Sequence, residues 1–115
     1  MSIEYEELDK FVKGLFHHNI MHTMRQMVDQ HDKRDQYNVA IEELSELQKE
    51  LTKNNRGSDN KHKIKNEITD VLIMIIQIID YEDIELDDIL AYMQLVEMKL
   101  QLYYIKDIDS EENEQ

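Results

Sequence analysis

The sequence predicts an all-α fold, a bundle of four or five helices, and three observations carry that expectation. Among 115 residues there is no proline and there are only two glycines, Gly14 and Gly57. A β-rich chain of this length would need far more turn residues. Apolar side chains recur in steps of three and four, the period of an amphipathic helix. The clearest loop signal, Asn54-Asn55-Arg56-Gly57-Ser58-Asp59-Asn60, is short enough to fold two helices back against one another.

The first helical segment, roughly Ile3 to Asp32, carries Leu8, Phe11, Val12, Leu15, Phe16, Ile20, Met24, Met27 and Val28 on one face. Gly14 and the His17-His18-Asn19 stretch are where it would break in two. A second helix is expected from about Asp35 to Lys53, with Asp35 as its N-cap and Ala40, Leu44, Leu47 and Leu51 as its stripe. The third, about Lys61 to Tyr81, starts polar and ends in Val71-Leu-Ile-Met-Ile-Ile-Gln-Ile-Ile. A helix apolar on every side must be enclosed, and so few short helices can hardly do it, so burial against a second subunit is expected. After the acidic turn Glu82 to Glu85, Asp87 or Asp88 would cap a fourth helix bearing Leu86, Ile89, Leu90, Met93, Val96, Leu100, Tyr103 and Tyr104. One domain over residues 1–106 is expected, followed by an acidic, disordered tail from Asp107 to Gln115.

Charge and composition exclude several classes. With 13 basic against 26 acidic residues the formal net charge is −13. So acidic a chain lacks the basic patch needed to grip a nucleic-acid polymer or an anionic membrane surface. The absence of cysteine removes disulfides, zinc–thiolate sites and thiol catalysis, and agrees with a reducing cytosol. The N-terminus is acidic where a signal peptide would be basic and then apolar. The longest apolar run is about half the length that spans a bilayer. A soluble, cytoplasmic protein is the expectation.

The chemistry lies in two acidic pairs. Glu43-Leu-Ser-Glu46 and Glu67-Ile-Thr-Asp70 each place two carboxylates one helical turn apart. Acidic residues on helices ordinarily mark a solvated face. These border the Leu44/Leu47 stripe and the Ile64/Ile68/Val71 stripe, on consecutive helices that the loop folds together. Carboxylates converging there would repel unless cations filled the gap. Oxygen donors without thiols suit a hard ion such as Mg²⁺, and through it phosphate chemistry.

The stretch Gln36-Tyr-Asn-Val-Ala-Ile-Glu-Glu-Leu-Ser-Glu-Leu, then Lys53, Arg56-Gly57 and Asn66-Glu-Ile-Thr-Asp-Val-Leu-Ile-Met resembles the MazG-like all-α nucleoside triphosphate pyrophosphohydrolases. Their EExxE and ExxD motifs occur here in order. The resemblance covers about Gln36 to Leu100. It implies that Glu43, Glu46, Glu67 and Asp70 are Mg²⁺ ligands, with Mn²⁺ able to substitute, and that Glu42 is an accessory acid. It also implies cleavage of a (deoxy)nucleoside triphosphate to the monophosphate and pyrophosphate, and a homodimer or dimer of dimers. Lys53, Arg56 and Lys99 match basic residues that contact phosphates. The arginine common after that last lysine is absent, and Gln101, Leu102 and Tyr103 stand there instead. A catalytically silent helical dimer that binds a nucleotide or a protein is the alternative.

Other constellations read as structural. His18 and His22 share a face, but isolated histidines at that spacing are mostly surface or structural residues. His31-Asp32 lacks the further partners an HD-type phosphohydrolase requires. Met21, Met24 and Met27 read as core or interface, and Tyr37, Tyr81, Tyr103 and Tyr104 as helix-end packing residues.

Overall fold

The computed structural model describes residues 3–15 and 17–113, with side chains described except at 15, 18 and 106–113. All regular structure among them is helical, and no helix is long and apolar enough to cross a membrane. The elements are α1 (Tyr5–Leu15), α2 (His18–Gln30), α3 (Lys33–Asn55), α4 (Lys61–Tyr81) and α5 (Leu86–Asn113). Phe16 and the last two tail residues lie outside the described residues.

The chain divides into two compact units, Met1–Glu82 and Asp83–Gln115. In the first unit, α4 packs against both α3 and α2. Val71, Met74 and Ile76 of α4 and Ala40 of α3 are its buried apolar residues. Gln77 is only 1% exposed. Its amide nitrogen stands 3.9 Å from the sulfurs of both Met24 and Met27, so two soft acceptors meet the donor that interrupts the apolar run.

The far end of this layer is tied by polar and aromatic contacts. Lys33 pairs with Glu82 at 2.6 Å, and the Tyr37 hydroxyl donates to the same carboxylate. The Tyr37 ring meets Tyr81 edge-on at 5.8 Å, and Tyr81 donates to the carbonyl of His31 at 3.1 Å. Burial first, and then the bond to Glu82, push the Tyr37 phenol up to about 12. Tyr37, Tyr81 and His31 are thereby occupied with joining the ends of α2, α3 and α4.

Three boundaries differ from the sequence expectation. Helix α3 starts at Lys33 with Asp32 as N-cap, so Asp35 lies inside the first turn, where an acid still favours the helix dipole. Helix α5 begins at Leu86, ahead of both proposed caps, Asp87 and Asp88. It also continues through the segment expected to be a disordered tail, as far as Asn113. No proline or glycine interrupts it there.

Candidate functional site

The α3–α4 turn sets the register of the layer. Gly57 adopts φ +101°, a region open to glycine. Its N–H bonds Asn54 O at 2.9 Å and the Ser58 N–H bonds Lys53 O at 3.1 Å, the paired bonds of a Schellman motif. Arg56-Gly57 therefore has a local task, which is to end α3 and reverse the chain.

Just inside the turn, Glu50 and Asn60 are both buried. The Asn60 amide donates to the Glu50 carbonyl at 2.8 Å and to its carboxylate at 2.7 Å. Asn54 donates to Asn60 Oδ1 at 3.1 Å, and Lys53 reaches the other Glu50 oxygen at 3.3 Å. The Asn60 amide above all, and then Lys53, hold the Glu50 carboxyl below its ordinary value. Glu50 was not among the residues singled out from sequence. The available signal was its position seven residues after Glu43, on the same side of α3.

One heptad along, the same two helix faces bring three carboxylates together. One oxygen each from Glu43, Glu67 and Asp70 lies within 4.8 Å of the others. Glu43 and Glu67 are half-buried and Asp70 is exposed. Glu67 Oε2 is buried without a hydrogen-bond partner. Partial burial, followed by the negative charges of Asp70 and Glu67, raises the Glu43 carboxyl above its ordinary value. No other group of histidines and acids among the described residues meets the geometry of a cation site.

Glu46 does not join them. It is exposed and contributes no oxygen to the group. Glu42 is likewise exposed. Lys53 lies ten residues beyond Glu43, about 15 Å along α3, with its ammonium beside Glu50. It lines a groove of about 560 Å³ with Ser58, Asn60, His62 and Lys63. Arg56 is exposed, and Lys99 is an exposed residue of α5 in the other unit.

No family model, curated protein or solved structure matches the chain. A functional reading therefore stands on residue chemistry and on this geometry. Three convergent carboxylates, one with a buried orphan oxygen, fit a hard divalent cation. Like charges held this close repel one another where water is partly excluded, and a 2+ ion would reverse that sign. The donor set contains only oxygen, as Mg²⁺ and Mn²⁺ prefer.

Proposed function

We propose that the protein is a divalent-cation-dependent nucleoside triphosphate pyrophosphohydrolase of the MazG-like type, working in the cytoplasm on the nucleotide pool. The observation that carries this reading is the Glu43–Glu67–Asp70 cluster, with its unpartnered Glu67 oxygen, at the positions of the two acidic motifs. Glu43, Glu67 and Asp70 would hold the cation, and Glu46 and Glu42 sit one turn and one residue away, as accessory carboxylates.

When bound, the ion would clamp phosphate oxygens, neutralise transition-state charge and acidify a water molecule. The chain's own residues supply the rest. The half-buried acids cannot attract a triphosphate by themselves, since all the charges are negative. Among the described residues no ion pair joins a Lys or Arg to Glu43, Glu67 or Asp70, and Lys53 is already paired with Glu50, so phosphate recognition depends on the cation. Attack by water on the α-phosphorus breaks its bond to the bridging oxygen. Pyrophosphate leaves, and a carboxylate of the cluster accepts the proton of the attacking water. Self-association through exposed apolar surface belongs to the same reading.

The test is a nucleotide panel incubated with Mg²⁺ or Mn²⁺ and assayed for pyrophosphate, with Glu67→Gln and Asp70→Asn alongside. Pyrophosphate release that depends on metal and disappears in both variants is the expected result. No release from any nucleotide, with metal binding intact, would favour the silent binding module; release unchanged in the variants would refute the site.

A further inference from the structure

Gln77 breaks the apolar run of α4, and packing does not account for it. Its side chain is fully buried. The amide nitrogen has the sulfurs of Met24 and Met27 at 3.9 Å, which are weak acceptors. The amide oxygen is buried with no hydrogen-bond partner. An amide left in that state costs stability that a methionine in its place would not. A second orphan lies one turn on. Asp80 Oδ2 is buried without a partner, while its other oxygen stands 3.6 Å from the Arg25 guanidinium. Met24, Met27 and Arg25 all belong to α2, so both side chains point at that helix. The adjacent Tyr81 hydroxyl donates elsewhere, to the carbonyls of Val28 and His31. Two unpaired acceptors therefore face α2 and call for a donor.

Position along α4 suggests the donor. Gln77 is seven residues beyond Asp70, about 10 Å along the axis and turned only about 20° around it. With the phosphates of a nucleotide on a cation at Glu43, Glu67 and Asp70, the base is the part of the molecule that extends so far. Adenine and cytosine carry an amino group where guanine and thymine carry a carbonyl, and a glutamine amide pairs with such an amino group and the ring nitrogen beside it. Gln77 and Asp80 leave acceptors unpaired, so they match the amino group and repel the carbonyl.

We propose that Gln77 reads the base of the substrate and selects adenine or cytosine. Its amide oxygen accepts from the amino group, with Asp80 beside it as a second acceptor, and its N–H turns from the two sulfurs to the ring nitrogen. Met24 and Met27 cover the amide and are themselves half-buried. Both are unbranched thioethers, the kind of side chain that repacks around a ligand, so the base enters between α2 and α4 by displacing them. This role rests on the nucleotide reading of the carboxylate cluster.

Gln77→Met tests it, since that change keeps the volume and removes the polar atoms. The native chain should release pyrophosphate from adenine or cytosine nucleotides in preference to guanine and thymine ones. In Gln77→Met that ratio of kcat/KM values should fall about 10-fold or more, and the melting temperature should match or exceed the native one. A metal-free readout separates the base from the reaction. Adenosine or cytidine at millimolar concentration should shift the methyl resonances of Met24 and Met27 in the native chain but not in Gln77→Met, and guanosine and thymidine should leave both unmoved. Such shifts without any pyrophosphate release keep the base reader and sink the hydrolase. Release with the base preference unchanged in Gln77→Met overturns the reader and keeps the hydrolase. A destabilised Gln77→Met with neither effect marks a core amide satisfied by buried water, which also overturns it. If Gln77→Met does not fold, the native chain decides: no base preference and no nucleoside shift would end the proposal.

Discussion

Glu43 and Glu50 are the same residue type on the same side of the same helix, two turns apart, yet their surroundings are opposite. Glu50 is buried with an amide and an ammonium on its oxygens, and its carboxyl is held low. Glu43 faces two further acids, and its carboxyl is pushed up. The partner on α4 makes the difference. Asn60 and Glu67 are also seven residues apart, so the two helices meet in two polar layers, one amide–acid and one acid–acid. The first layer is complete without a ligand and serves the turn. The second leaves an oxygen buried and unpaired, which costs stability unless something fills it. A polar residue in a helix interface becomes a functional candidate when its requirements are not met within the chain.

The largest expected effect separates the two layers by activity. Glu43→Gln should lower metal-dependent pyrophosphate release on the order of 100-fold or more, the scale seen when a metal site or a transition-state contact is damaged. Glu50→Gln, assayed on folded protein, should stay close to the native rate. Comparable losses in both would erase the distinction.

Stability should divide the other way. Asn60→Ala removes the amide that bonds the buried Glu50 carbonyl and carboxylate, so urea unfolding should show a loss of about 1–3 kcal/mol with the metal response retained. Gly57→Ala forces a Cβ into positive φ with open space around it. The penalty is then backbone strain alone, about 1 kcal/mol in the same titration.

The finest contrast is in pH dependence. A carboxyl raised in the folded state favours the native form below its unfolded value, and that contribution is lost as pH climbs through the raised folded value. Glu43 should therefore make the metal-free protein less stable as pH rises from the unfolded carboxyl value through the raised folded one, and Glu43→Gln should remove that part of the slope. Glu50 and Glu82, both lowered, behave inversely. Their contribution is present above the unfolded value and fades as pH falls through the folded one. Unfolding curves across this range, with and without Glu43→Gln, check the sign.

Much of the first unit is legible in the sequence. The limits of α4 and the break between α1 and α2 follow from periodicity and from the Gly14 to Asn19 interruption. The convergence of Glu43, Glu67 and Asp70 follows from motif spacing and a short loop. Glu46 shows where spacing alone stops short: Glu67 and Asp70, separated by the same i,i+3 step, both join the cluster, while Glu46 does not. Asp32 caps α3 without a side-chain hydrogen bond, so choosing the cap by residue type lands three residues late. The acidic composition at 107–113 speaks of solvation and says little against a helix. Glu50 and Asn60 escaped notice because neither belongs to a motif, and their value depends on a partner across the turn.

The most direct measurement is a Mg²⁺ and Mn²⁺ titration followed by thermal unfolding, on the native chain, Glu67→Gln and Asn60→Ala. Saturable stabilisation of the native chain is expected, growing with ligand excess as linkage requires. It should be absent in Glu67→Gln and preserved in the less stable Asn60→Ala. A native chain indifferent to both ions, or a Glu67→Gln variant stabilised as much as the native chain, would contradict the assignment of the cluster.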